Sequence, residues 1–286
     1  MKNSKLTNIL LEIIFLIICF QIIFLYNLKI VGITLLIIYS IVKYQSKKVT
    51  LIAYKGALAF NSKDYDKALE LYKKAYGMKK VTTNIKLRYA YISLYCGKLD
   101  LCKDILTSID YSILKDSKLK MSYKQTQGLY LWKSNNLEKA IEIYEKLHIE
   151  CEHTVIYEAL GYLLILNKNY EKALEYNMKA LDYDDTNVII DNLAQSYYYL
   201  GNLDKAKELY LTLFSKEKEK RPTFPEPYYY YGLILKEEGN LDDSFYYLNK
   251  ALDKKESFLS NLNKDTILEA LNQLDRLKIS NNGILT

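Results

Sequence analysis

Turn-forming residues are scarce, with ten glycines and three prolines among 286 residues. That scarcity excludes collagen-like, linker-like and turn-rich β architectures and leaves helices as the main element. The four cysteines, at 19, 96, 102 and 151, are too few and too scattered to frame a disulfide-stapled fold. With two histidines, neither set in a nucleophile constellation, Ser-His-Asp or Cys-His catalysis has almost no material. No G-x-G-x-x-G and no Walker-type loop occurs. Catalytic residues and cofactors are therefore expected to be absent. Half the residues are apolar and about a quarter charged, which argues against a long disordered chain. The formal charge of +6 is confined to one end. Residues 1–48 carry six lysines against one glutamate, whereas residues 49–286 balance 34 basic with 33 acidic side chains. A charge so placed is poor evidence for a nucleic-acid surface, and no nucleic-acid partner is expected.

Residues 1–48 read instead as a membrane anchor. From Ile9 to Leu28, fifteen of twenty positions are Leu, Ile or Phe. A helix of that length reaches roughly 30 Å, the thickness of a bilayer core. Glu12 lies one turn inside the stretch, close enough to the interface to reach it. A second apolar run, about 28–44, is at the low end of a spanning length and carries Gly32, Thr34 and Ser40. It completes a transmembrane helical hairpin or lies as an interfacial or re-entrant helix. Lys2 and Lys5 precede the first run and Lys43, Lys47 and Lys48 follow the second, so the positive-inside rule places both ends in the cytoplasm. No small-x-small cleavage site follows the apolar core, which argues against a removed signal peptide.

Self-similarity governs the rest. Small residues recur at Gly56, Ala90, Gly128, Gly161, Ala194 and Gly232, and again at Ala68, Cys102, Ala140, Ala173, Ala206 and Ser244. Both series advance in steps of 34, 38, 33, 33 and 38 residues. Two antiparallel helices approach closely only where side chains are small, so each unit reads as a helix pair that buries itself by stacking on its neighbours. Gly97, Gly201 and Gly239 fall at the turn inside a pair. The stretches Lys55-Gly56-Ala57-Leu58-Ala59-Phe60 and Asp64-Tyr65-Asp66-Lys67-Ala68-Leu69-Glu70-Leu71-Tyr72 and their counterparts resemble the tetratricopeptide repeat, whose small positions 8 and 20 they match and whose aromatic position 24 is met by Tyr72, Tyr144 and Tyr210. The proline common near the end of that repeat is missing throughout, and two connections are about four residues longer than usual. One of these, Lys216–Pro227, holds all three prolines and reads as a solvated spacer or as a partner-contacting loop.

The resemblance implies an all-α, right-handed superhelical solenoid of six repeats over residues 49–258, preceded by the anchor at 1–48 and followed by a capping helix and tail at 259–286. It also implies a concave groove lined by the first helix of each repeat. Carried over position by position, the groove residues are Tyr91, Gln125, Trp132, Glu158, Tyr162, Asp191, Gln195, Tyr198 and Tyr229. An aromatic groove of this kind suits a protein or peptide ligand. The subclass that clamps a carboxylate with Lys and Asn is not matched, because Ala53, Ala57, Gln125 and Leu129 stand at those positions. His148-Ile149-Glu150-Cys151-Glu152-His153 is the one cluster resembling metal ligands, and without a second ligand pair it reads as a surface turn. The expectation is a non-catalytic, membrane-anchored scaffold that touches lipid through its N-terminal helices and holds a partner on the cytoplasmic side. A sensor of a short signalling peptide and an accessory subunit of a membrane-associated enzyme complex are the alternatives.

Overall fold

The computed structural model describes residues 2–283. Among them, regular structure consists of fourteen α-helices and two 3-10 turns. The chain divides into two compact units at Ile85/Lys86.

The first unit contains α1 (Lys2–Phe24), α2 (Lys29–Asn61) and α3 (Tyr65–Tyr76). The chain reverses between α1 and α2 at Asn27, whose φ of 48° suits a short polar side chain. The two helices cross closely at Gly32, where an added Cβ would fall 2.3 Å from Ile23 Cγ1. Glu12 on α1 and Lys43 on α2 form an ion pair. The Thr34 and Ser40 hydroxyls donate to carbonyls one turn back in their own helix, at 2.8 Å each, and need no outside partner. Among the described residues, Lys29–Asn61 is long and apolar enough to cross a membrane, and the apolar part of α1, Ile9–Phe24, is shorter. The helix that carries the second apolar run does not end with it at residue 44. Nothing between Lys43 and Gly56 breaks a helix, so α2 continues through the position expected to part anchor from repeats. Its last turns form the first helix of the first repeat, paired with α3 through Gly56 against the Tyr72 ring.

The second unit holds α5 (Leu99–Thr107), preceded by α4 (Thr83–Tyr95), in which the unit boundary falls. Four helix pairs follow: α6 (Ser117–Lys133) with α7 (Leu137–Glu150), α8 (Thr154–Leu166) with α9 (Tyr170–Tyr183), α10 (Asn187–Tyr199) with α11 (Leu203–Ser215), and α12 (Glu226–Glu237) with α13 (Leu241–Leu252). The capping helix α14 (Lys264–Gly283) packs on α13 and α12 and is longer than the periodicity of Ile267, Leu271 and Leu274 requires. Starts are set by side chains that accept from early helix N–H groups: Asp116 for α6, Asn169 for α9, Thr186 for α10 and Asn202 for α11. The turn inside each pair needs a left-handed residue, supplied by Gly97, Asn135, Lys168, Gly201 and Gly239 in turn. The small first-helix residue meets the side chain at position 24 of its own pair. A Cβ on Gly128 would lie 2.7 Å from the Tyr144 ring, and one on Gly232 would lie 2.9 Å from Leu248. Glycine there lets a large buried side chain lie against bare backbone. Alternate helices α8, α10, α12 and α14 are neighbours and form one continuous face.

Candidate partner-binding face

That face, extended by α6 and the end of α4, carries the expected groove residues in three environments. Tyr198 and Tyr229 stay accessible. With Leu233, Lys236, Glu237 and Gln273 they line a recess of about 290 Å³ between α10, α12 and α14. The Tyr198 hydroxyl donates to Glu237 at 3.2 Å, and the rings of Tyr198, Tyr199 and Tyr230 pack edge to face. Tyr91 is half-buried beside Tyr95 with ring centroids 6.3 Å apart, and burial raises its hydroxyl pKa above the usual range. Gln125 offers its backbone carbonyl to the Tyr144 hydroxyl at 3.1 Å.

Other expected groove residues turn inward. Asp191 and Gln195 are 3% and 1% exposed and bond to each other, Gln195 Nε2 donating to Asp191 Oδ2 at 2.8 Å. Burial, reinforced by the Glu226 carboxyl, holds the Asp191 pKa well above the carboxylate range. Glu158 is half-buried and accepts from Thr186 Oγ1 at 2.8 Å, and burial is again the main cause of its raised pKa. Its backbone carbonyl accepts from Asn192 Nδ2. Glu158 thus joins one repeat to the next, while Asp191 and Gln195 pair within α10 and present little to a ligand.

Trp132 and Tyr162 form the third environment. Trp132 is 7% exposed and meets the Tyr162 ring edge to face at 5.6 Å. Both lie beneath a segment of the same chain. Residues 253–263 join α13 to α14 by eleven residues, where α7–α8 and α9–α10 are joined by three each. A turn closed by Ser260 N–H on the Ser257 carbonyl, at 3.1 Å, places Phe258 and Leu259 at its corners. The Phe258 ring rests on Gly97, 3.3 Å from where a Cβ would stand. Leu259 packs on the cluster of Trp132, Leu160 and Leu163. The Lys133 ammonium lies over the Phe258 and Trp132 rings at 4.8 and 4.6 Å and donates to the Ser260 carbonyl at 3.1 Å. Ser260 Oγ donates to the buried Glu226 carboxyl, and Asn261 N–H donates to the Tyr162 hydroxyl at 2.9 Å. Burial raises the pKa of both Tyr162 and Glu226. Lys133, Glu226 and the 257–261 turn carry no signature in the repeat pattern. The available signal was the length of the α13–α14 connection.

The histidines serve the scaffold. His148 packs between the Tyr157 and Tyr176 rings at 4.9 and 5.2 Å. His153 Nδ1 accepts from Val155 N–H at the start of α8. Among the described residues no group of His, Cys, Asp and Glu is placed to hold a metal ion. The buried Cys102 thiol, pushed up to about 12 by desolvation, is a small packing residue.

Residues 155–187 and 192–257 each match a tetratricopeptide repeat profile. Comparison with curated proteins finds no relative. Among solved structures, PilW, a type IV pilus biogenesis factor, is 15% identical, with a TM-score of 0.57 over 78% of this chain and 99% of that one. A tetratricopeptide repeat protein of Parabacteroides merdae is 18% identical, with a TM-score of 0.50 over 80% of this chain and 99% of that one. One chain of an APC/C hetero-tetramer gives a TM-score of 0.60 at 14% identity, covering 84% of this chain and 45% of that one. The fold is thus that of the tetratricopeptide helix-pair stack.

Proposed function

We propose that this protein is a non-catalytic scaffold, anchored in a membrane by α1 and the first half of α2, which holds a protein or peptide partner on the face built from the first helices of its repeats. One observation carries the reading: that face already holds a segment of polypeptide, through contacts from four repeats. A surface with aromatic walls, a cation for carbonyls and a hydroxyl for an N–H is suited to peptide recognition. The anchor rests on the first unit's surface. Many large apolar side chains from Ile9 to Tyr44, including Leu10, Phe20, Ile30 and Val42, are 44–83% exposed, and lipid is the solvent that would cover them. With lysines flanking the hairpin, the repeats face the cytoplasm.

Two measurements on the full-length protein test this. It should remain with membranes after alkaline carbonate extraction. A photo-crosslinking residue at position 229 should capture a partner that an identical probe at Leu211, on the exposed side of α11, does not, and Tyr198→Ala should reduce that capture. Release by carbonate would end the membrane reading. Equal capture at the two positions would move the partner off the first-helix face.

A further inference from the structure

The α13–α14 connection is a poor match for a simple linker. Leu262 is its only well-buried apolar side chain, packed with Tyr228, Ile267 and Leu271, and it anchors the start of α14. The preceding turn behaves differently. Phe258 and Leu259 are only half-buried, with Phe258 on Gly97 and Leu259 on the outside of the cluster around Trp132. A recess of about 500 Å³ lined by Lys133, Phe258 and Asn261 opens beside them. The groups that hold the turn are of the kind that hold a ligand. Lys133 grips a carbonyl, Tyr162 receives an N–H, Glu226 receives a hydroxyl, Gly97 takes an aromatic ring, and the apolar cluster that includes Trp132 takes an aliphatic side chain.

We propose that the surface between Gly97, Trp132, Tyr162 and Glu226 is a recognition site for a partner turn that presents an adjacent aromatic–aliphatic pair followed by a hydroxyl residue. The chain's own Ser257–Ser260 occupies that site as a tethered competitor. The chemistry of the occupant defines the chemistry of the partner. The aromatic residue lies on bare glycine backbone under a lysine ammonium, the aliphatic one packs on the apolar cluster that includes Trp132, and the hydroxyl donates to a buried carboxyl. A competitor fixed at both ends acts at an effective concentration of about a millimolar or more, so only a partner tighter than that, or one delivered at high local concentration, gains entry. Restriction to one membrane surface supplies such concentration, and to this extent the inference rests on the scaffold reading above.

The probe is a fluorescent, cyclised peptide with the sequence of residues 254–264, closed so that the turn is held. It is titrated into the full-length protein and into Phe258→Ser/Leu259→Ser, which empties the site and keeps the length of the connection. The emptied protein should bind the peptide at least tenfold more tightly than the parent does. Tyr162→Phe in the emptied background should weaken binding by about fivefold, as expected for one lost hydrogen bond. A second variant guards against misfolding. It keeps every residue of the turn and inserts flexible Gly-Ser stretches after Asp253 and after Asn263, which lowers the competitor's effective concentration and should give intermediate affinity. No binding to either variant, with unchanged circular dichroism, overturns the proposal, as does equal binding to parent and variants. Peptide binding without partner capture at position 229 would overturn the scaffold reading alone. Capture without peptide binding would overturn this inference alone.

Discussion

The hydroxyl of Tyr162, in the middle of the first-helix face, accepts a hydrogen bond at 2.9 Å from the backbone N–H of Asn261, ninety-nine residues further along the chain. With Ser260–Glu226 and Lys133–Ser260 it ties the α13–α14 connection across the repeats. Tyr162→Phe keeps the ring against Trp132 and removes only the acceptor. Asn261 is exposed, so water replaces the lost partner and the cost should be about 0.5–1 kcal/mol. Hydrogen exchange read by mass spectrometry should show residues 257–262 exchanging several-fold faster, with α8 unchanged. Unaltered exchange in that peptide would mean that Tyr162 does not hold the segment.

A second relationship concerns Gly161 and Asn177. A Cβ at position 161 would stand 2.0 Å from Asn177 Oδ1 and 3.2 Å from Asn192 Nδ2. Asn177 cannot retreat freely, because its Nδ2 donates to Ser196 Oγ at 3.1 Å and it is fully buried. Gly161→Ala should therefore cost about 1–3 kcal/mol through forced displacement in a packed interior. Adding Asn177→Ala should recover part of that loss, and chemical denaturation of the two single variants and the double variant measures the coupling. Strict additivity would show that the two side chains do not compete for the space. Gly201→Ala is the control, since an added Cβ there would meet nothing within 4 Å beyond its chain neighbours and the φ of +76° makes any cost one of backbone conformation.

Helix positions were legible in the sequence because close approach is a local requirement that repeats. Gly128 and Gly232 advertise their pairs whatever the rest of the chain does. The end of α2 was less so. The lysines from 43 to 48 mark where an apolar surface stops, and hydropathy cannot distinguish that from the stop of a helix when no Gly or Pro intervenes. The groove register expects Asp191 and Gln195 at a surface, and the structure buries both. Their burial depends on Tyr210, on the Glu226 carboxyl and on neighbouring helices, which are tertiary facts. The turn at 257–260 showed only as a long α13–α14 connection, because its partners Gly97, Lys133, Tyr162 and Glu226 are scattered over most of the second unit.

The ion pair between Glu12 and Lys43 explains how a carboxylate sits one turn into the apolar stretch of α1. Under the membrane reading it is worth more as a pair than either charge is alone. Lys43→Leu leaves Glu12 without its counter-ion in an apolar surrounding, which disfavours insertion. The carbonate-resistant fraction of the protein should fall. Glu12→Leu/Lys43→Leu should restore it, because removing both charges removes the desolvation cost. A double variant that inserts no better than Lys43→Leu would show that the pair does not govern insertion.

The buried carboxyls yield a prediction whose sign is opposite to the usual one for acidic residues. Asp191 and Glu226 bind protons more tightly in the folded protein than in the unfolded chain, chiefly because burial disfavours the charged form, with the Glu226 charge adding to the effect on Asp191. The Ser260 hydroxyl offsets this only partly at Glu226. Their contribution to stability is therefore fully present below the ordinary carboxylate pKa of about 4 and is lost as pH rises through the elevated folded values. Exposed, ion-paired carboxylates such as Glu175 act in the other sense, but they are common to parent and variant and cancel in the difference. Asp191→Asn keeps an oxygen to accept from Gln195 and cannot ionise. Its melting temperature should match or fall below the parent's near pH 4.5 and exceed it by about 2–5 °C near pH 8, where the parent carries the cost of a buried charge or of retaining a proton. Glu226→Gln should show the same trend with smaller amplitude, since it also gives up a charge-assisted bond from Ser260. The measurement is thermal unfolding of the three proteins from pH 4.5 to 8. A difference that does not change with pH would mean that these carboxyls titrate alike in the folded and unfolded chain.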